Sequence, residues 1–450
     1  MSNHSLLHRR QFLVTSLSAL AFLPFCSFKN GLPDLSKKYR VGLIGTGWYG
    51  KSDLFRMMQV VPTEVVALCD VNRQALSEAA RLVKDKGNAY EPKQYTDYRK
   101  MLAEQQVDVM IIGTPDHWHA LMAIDAMQSG AHVYLQKPIS VDVLEGEAIV
   151  KIAQKTGRKV QVGLQRRSTP HVLQAKKEVL DGGLLGQISH VEMCCYYHMR
   201  DQRRLDPQPV PEYLDWDMYC GPAPLKTYDG IGWRAFMEFG NGIMGDMCVH
   251  MYDTARWLLD LGWPKKVSST GGIFVQKSAN ANITDTQTAI FEHENINCVW
   301  THRTWGTAPD PEYPWGLFIY GEHGTLKVST MKCDFIPHDK SKNSIRYDVL
   351  YERSEFPSDL TEPRIELHAA PATRAHFTNL ITSIEQNLTP VASIVDTHIS
   401  TASCILANNA MVLERPLVYD PSKKIVIADD EATRMLKREY RAPWKHPFSV

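Results

Sequence analysis

Val41-Gly42-Leu43-Ile44-Gly45-Thr46-Gly47-Trp48-Tyr49-Gly50 reads as a buried strand running straight into a glycine turn. Each spaced glycine answers a different demand: Gly45 a tight turn, Gly47 a close approach of backbone to a pyrophosphate, Gly50 close packing of the next helix on the strand. Thr46, Trp48 and Tyr49 fill the turn between them, and the helix that follows would aim its first N–H groups at the phosphates. That helix is legible because Leu54, Met57, Met58 and Val61 recur at helical spacing and Pro62 ends the pattern. A second apolar run, Val65–Cys69, ends at Asp70, 20 residues after Gly50, where a carboxylate would accept hydrogen bonds from an adenosine ribose. Glycines alone are a weak signal. Strand, turn, helix, strand and terminal acid in that order predict a dinucleotide site, and Asp70 favours NAD over NADP because it would repel a 2′-phosphate.

From Tyr39 to about Gln165 the chain alternates strands and helices, with strands at Arg40–Ile44, Val65–Cys69, Val107–Gly113, His132–Leu135 and Val160–Leu164. This pattern predicts a doubly wound parallel sheet, a Rossmann-type domain over 38–165. Ligands of such sheets sit at the carboxyl ends of the strands. Thr114-Pro115-Asp116-His117-Trp118-His119 and Gln136-Lys137-Pro138 should therefore line one crevice. After Gly182-Gly183 the texture changes to long alternating strands, at Ser189–Tyr197, Lys266–Val275, Thr286–His293, Ile296–Trp305 and Gly316–Ser329. They predict a second, α+β domain over 166–450 built on an open, largely antiparallel sheet. An aromatic and proline-rich stretch, Tyr213 to Trp233, interrupts it, and two amphipathic helices separated by Pro390 follow between His376 and Leu413.

The 450 residues carry 50 basic and 50 acidic side chains and no polybasic run, so nothing here offers nucleic acid an electrostatic footprint. The nine cysteines form no CxxC pair, which argues against a structural metal site. Residues 1–30 differ from the rest: Arg9-Arg10-Gln11-Phe12-Leu13 precedes an apolar run to Phe25, too short for a comfortable membrane span. This is an export signal, and the arginine pair resembles the twin-arginine type, which carries folded proteins; an ordinary secretory signal also begins with positive charge. Periplasmic or other extracytoplasmic residence is expected, with no stable membrane span in the mature chain.

On the helix after Gly242, Asp246, His250, Asp253 and Trp257 are spaced to share one face. Taken alone, Asp246 and His250 could be an i, i+4 hydrogen-bonded pair and Lys137 a surface lysine at a strand end. Taken together with the glycine turn, the Pro-Asp-His-Trp-His segment, the Lys137-Pro138 pair, Leu214-Asp215-Trp216-Asp217 and Cys220-Gly221-Pro222-Ala223-Pro224, they make the chain resemble the Gfo/Idh/MocA oxidoreductases, in their exported branch. The resemblance runs from Tyr39 to the Tyr440–Trp444 tail. It implies a Rossmann domain packed on an open-faced sheet, bound NAD, a sugar or glycoside as substrate, and a homo-oligomer. Carried over position by position, it implies that Lys137, Asp246 and His250 handle the hydroxyl proton. Trp118 and His119 would lie beside the nicotinamide ribose, and Arg166 or Arg167 near the cofactor. The family's glutamate before Lys-Pro is Gln136 here, which removes a charge beside Lys137.

Oxidising a hydroxyl-bearing carbon needs a base within hydrogen-bond reach of the hydroxyl and a group to stabilise the developing negative oxygen. His250 suits the first role, Lys137 the second, and Asp246 would orient one of them. Three function classes fit: a dehydrogenase acting on a sugar hydroxyl, carbon 3 being the favoured position; a glycosidase that oxidises its substrate transiently; and a non-catalytic NAD-binding sensor. Export outside the free NAD pool favours a cofactor that is retained and recycled in place.

Overall fold

The computed structural model describes residues 37–448, so the export signal predicted at 1–30 lies outside the described residues. The first sheet contains β1 (Tyr39–Ile44), β2 (Thr63–Cys69), β3 (Lys93–Tyr95), β4 (Val109–Ile112), β5 (His132–Leu135) and β6 (Val160–Val162). Its order is β3-β2-β1-β4-β5-β6 with every pair parallel. Between the strands run α1 (Trp48–Val60), α2 (Arg73–Asp85), α3 (Tyr98–Glu104), α4 (His119–Gln128) and α5 (Val143–Thr156). Helices on both faces are why these strands can be continuous apolar runs; Val109–Ile112 is buried at every position. β3 does not announce itself in sequence, because a three-residue edge strand with two exposed positions has no periodicity to read.

After α6 (Pro170–Ala175) the chain enters the second sheet with β7 (Ile188–Cys195), then passes through α7 (Trp216–Cys220) and α8 (Val249–Leu259). β8 (Lys266–Gly272), β9 (Thr286–Glu292), β10 (Asn297–Arg303), β11 (Trp315–Gly321), β12 (Gly324–Val328), β13 (Lys332–Pro337) and β14 (Ile345–Asp348) complete it. The order β14-β13-β12-β11-β7-β10-β9-β8 is antiparallel except where β7 meets β10. The stretch Gly316–Ser329 forms an antiparallel hairpin of β11 and β12, whereas β13 and β14 extend the sheet beyond the sequence reading.

The tail returns to the first sheet. Phe377, Leu380 and Ile381 of α9 (Ala370–Glu385) join the core of Val41, Leu54 and Met57, and Phe377 stacks on Tyr134 with centroids 4.2 Å apart. α10 (Ile394–Val412) begins against β6, with Ala392 and Ile394 in the core that holds Val160 and Val162. A cut at 165/166 thus marks the end of the first sheet but not of its packing. Arg167 ties the pieces together from a buried position, meeting Asp253 at 2.6 Å and Asp396 at 2.5 Å. Such a pair holds α8 against the tail, and removing one partner would leave a buried charge unmet.

Candidate active site

A cavity of about 740 Å³ opens at the carboxyl ends of β1, β2, β4 and β5, and the second domain supplies its opposite wall. At its dinucleotide end the glycines behave as their spacing demands. Gly45 has φ +91° and a Cβ there would lie 2.6 Å from the Gly113 backbone; a Cβ on Gly50 would lie 2.0 Å from the Gly45 carbonyl oxygen. Gly47 differs, because a Cβ there would meet no atom within 4 Å. Its bareness serves nothing inside the protein, so the space in front of it, at the start of α1, fits a phosphate approaching the backbone.

Asp70 lies on the cavity at the end of β2. Oδ2 accepts from the Thr46 amide at 2.7 Å and the Thr46 hydroxyl at 3.0 Å, and Oδ1 from the Asn72 amide at 2.8 Å. Burial pushes this carboxyl up from its ordinary value, and the Asn72 and Thr46 donors work against burial. Oδ1, with one donor, keeps a lone pair for a ribose hydroxyl. Thr46, Gly50 and His119 do not line the cavity; they build its frame. His119 is buried between the Pro138 carbonyl (2.7 Å) and the Thr114 carbonyl (3.0 Å) and so braces the loops after β4 and β5. Burial pushes its pKa down to about 4, leaving a neutral ring with one N–H to share between them.

The aromatic stretch noted in the sequence lies across this end as a strap. Arg73 N donates to Tyr213 O at 2.9 Å, Asp215 N to Val71 O at 3.1 Å, and Trp118 Nε1 to Tyr219 O at 3.1 Å. Arg441 from the tail fastens it through Asp217 at 2.6 Å and the Gly221 carbonyl at 3.0 Å. Leu214, Trp216, Met218 and Tyr219 thereby face the crevice from the second domain. Sequence reasoning saw the aromatics but no signal for where they dock.

At the other end the structure brings Lys137, Asp246 and His250 onto one cavity. Lys137 Nζ donates to Asp246 Oδ1 at 2.5 Å and to the Asp246 carbonyl at 2.9 Å. Asp246 does not hydrogen-bond His250. Residues 244–248 form a π-helical turn ahead of α8, so Asp246 and His250 are not joined by a regular α-helical turn, though both face the cavity. Asp253 also departs from that face, pointing to Arg167 instead. Arg234, which sequence reasoning missed, adds a second cation at 3.3 Å from Asp246. Burial alone would raise the Asp246 carboxyl, but Lys137 and Arg234 outweigh it and hold it well below the usual carboxylate range. His250 is 5% exposed and its Nδ1 has no partner; burial, then Lys137 and Arg166, hold it well below its ordinary value.

Gln136 donates through its amide nitrogen to Asp53 Oδ2 at 2.6 Å and accepts through its amide oxygen from the Lys137 backbone N–H at 3.2 Å. Asp53 is buried, which pushes its carboxyl up to about 8, so the amide at 136 faces a neutral acid. Asp116 lines the cavity 3% exposed, raised well above its ordinary value by burial despite Lys137 nearby. Trp48, Tyr49, Thr114, Trp118 and Arg166 also line it, and the structure separates the paired arginines: Arg166 faces the cavity and Arg167 the core. Tyr197, Trp233, Trp315 and Glu366 complete the wall, and their contribution follows from tertiary packing alone.

Over residues 39–164 the chain matches the family described as "Oxidoreductase family, NAD-binding Rossmann fold", over 173–327 the "GFO/IDH/MocA C-terminal domain", and over 348–446 the "Oxidoreductase family, C-terminal alpha/beta domain". An inositol 2-dehydrogenase of Salmonella paratyphi B is 31% identical over 223 residues, 49% of this chain and 54% of that protein. A glycosyl hydrolase family 109 protein of Shewanella pealeana is 31% identical over 169 residues, 37% of either chain. The chain thus spans about half, or less, of the length of these relatives. Levoglucosan dehydrogenase in complex with NADH and levoglucosan shares the fold at a TM-score of 0.62 and 17% identity, over 84% of this chain and 97% of that one.

Proposed function

The chain belongs to the Gfo/Idh/MocA oxidoreductase family, and on that premise we propose that it removes a hydride from a hydroxyl-bearing carbon of a sugar or glycoside, carbon 3 being the favoured position. The carrying observation is the Lys137–Asp246 pair, 2.5 Å long, on the same cavity wall as an unpartnered His250. NAD, bound along the β1 turn, supplies the hydride acceptor. His250 is neutral near pH 7 and can take the hydroxyl proton without first losing one. Two of the three Lys137 N–H donors serve Asp246, which leaves the third for the substrate oxygen as negative charge develops on it. Asp246, ionised and clasped by two cations, fixes that direction.

The strap supports a retained cofactor, since leaving the crevice would require breaking the contacts of Tyr213, Asp215 and Tyr219. With retention, a second carbonyl substrate, or the oxidised substrate itself after a further step, must take the hydride back. Asp116 favours the second arrangement as an alternative reading, an NAD-dependent glycosidase. A ketone acidifies the neighbouring C–H; a base takes that proton as the bond to the aglycone oxygen breaks, the departing oxygen takes a proton that a buried neutral carboxylic acid can give, and water then adds across the double bond left behind. Twin-arginine export to the periplasm completes the proposal. We also propose a homo-oligomer through the outer row of the second sheet, where Ile290 is 36% exposed and Val299 and Phe318 are half-buried; light scattering tests it. The main reading is tested by mixing the NAD-loaded protein with a panel of glycosides and following reduction of the bound cofactor over one turnover, with product analysis separating ketone from released aglycone.

A further inference from the structure

Arg166 follows β6 and is 6% exposed, yet its guanidinium makes no hydrogen bond or ion pair among the described residues, and its Nε is buried without a partner. Arg167 beside it shows the ordinary solution for a buried arginine, two carboxylates within 2.6 Å. Arg166 lies instead over Trp315, its guanidinium carbon 5.0 Å from the ring centroid. The same indole meets the His250 imidazole at 5.4 Å, so guanidinium and imidazole lie within about 10 Å of each other, a distance on the scale of one sugar ring.

The carboxylates nearby answer this charge only in part, since Glu366 acts on it through space while burial dominates. Asp246 is committed to Lys137 and Arg234, and Glu366, exposed at the cavity rim, forms no ion pair with Arg166. The phosphate turn follows β1, three strands from β6 in the sheet, and it is Tyr49 of the first turn of α1 that reaches across to Gln165 at 2.9 Å. A nicotinamide carboxamide could accept one hydrogen bond but carries no charge to balance a buried cation. We propose that Arg166 is an anion subsite for the substrate, and that the sugar or glycoside carries a carboxylate which this guanidinium grips through two parallel N–H···O bonds. The proposal rests on the sugar-oxidising reading and narrows it to sugar acids such as uronides. A carboxylate seated there would also offset part of the positive field that Arg166 and Lys137 place on His250, making the base more basic only when substrate is present.

The test is calorimetric titration of the NAD-loaded protein with matched pairs of methyl glycosides, uronide against neutral hexoside, in the gluco, galacto and manno series. At least one uronide should bind tenfold or more tightly than its neutral partner. Arg166→Met, which keeps apolar bulk against Trp315, should bring that ratio close to one while NAD content and unfolding midpoint hold; Arg166→Lys should recover part of it. The proposal is overturned if no uronide in the panel outbinds its neutral partner, or if Arg166→Met sheds NAD while the ratio survives, which would make the arginine a cofactor contact. Binding is read without turnover, so uronides that bind through Arg166 but never reduce NAD would sink the oxidoreductase reading and leave the subsite standing.

Discussion

Gly47→Ala isolates the cofactor cradle from the fold that builds it. The added Cβ meets no atom within 4 Å, and φ −60° is open to alanine. The empty protein should therefore be as stable as the parent, or gain about 0.4–1 kcal/mol from a stiffer unfolded chain. The same methyl stands where the pyrophosphate must approach. Hydrogen bonds to a charged group contribute about 1.5–3 kcal/mol each, so losing two costs about 3 kcal/mol or more, over a hundredfold in affinity. At NAD a hundredfold above the parent's Kd, ligand-linked stabilisation of about 2.7 kcal/mol should then nearly vanish. Gly50→Ala is the contrast: its Cβ would lie 2.0 Å from the Gly45 carbonyl oxygen, so overpacking of about 3 kcal/mol should weaken the fold with or without NAD. Denaturant unfolding with and without NAD, together with the NAD content of the purified proteins, separates these outcomes. A Gly47→Ala protein that binds NAD like the parent would refute the assignment of this turn to the pyrophosphate.

Asp70 should make the protein prefer NAD to NADP, and Asp70→Ser should narrow that preference; equal or tighter NADP binding by the parent contradicts the ribose role. Asp53 is an acid whose carboxyl moves from an ordinary 3.8 to about 8 on folding. Between those values the unfolded chain has lost a proton that the folded one keeps, so the parent should lose stability as pH rises, by up to about 1.4 kcal/mol per unit, and level off above about 8. Asp53→Asn should flatten that slope in denaturant midpoints taken from pH 4 to 9, and an unchanged slope counts against a neutral buried Asp53. Replacing Arg9 and Arg10 with lysine should trap the precursor in the cytoplasm if export is of the twin-arginine type, whereas unchanged export in fractionated cells points to the secretory route.

The parts of the site legible in sequence are those encoded locally. Gly45, Gly47, Gly50 and Asp70 belong to one strand-turn-helix-strand unit, and their roles follow from backbone geometry within 30 residues. Lys137 was placed by the rule that ligands gather at strand ends, and Asp246 with His250 by helical spacing plus resemblance. What stayed hidden depends on contacts distant in sequence. Nothing near Ile188 announces that β7 pairs with β10 in parallel, and nothing in Tyr213–Tyr219 says that it docks on Val71 and Arg73. Gln136 looked like a lost charge beside Lys137; its partner Asp53 is 83 residues away in the chain. The two arginines at 166 and 167 are indistinguishable until Asp253 and Asp396 fold around one of them.

The central claim is that Lys137 and His250 handle the hydroxyl proton as the hydride leaves, and reduction of bound NAD in a single turnover measures that step apart from whatever recycles the cofactor. With a glycoside that the parent oxidises, His250→Ala and Lys137→Ala should each slow the reduction by about a hundredfold or more, with NAD content and folding retained. Asp246→Asn should fall between them and the parent if it only orients Lys137. If both alanine proteins reduce their NAD at the parent's rate, these residues are structural and the account of the site is wrong.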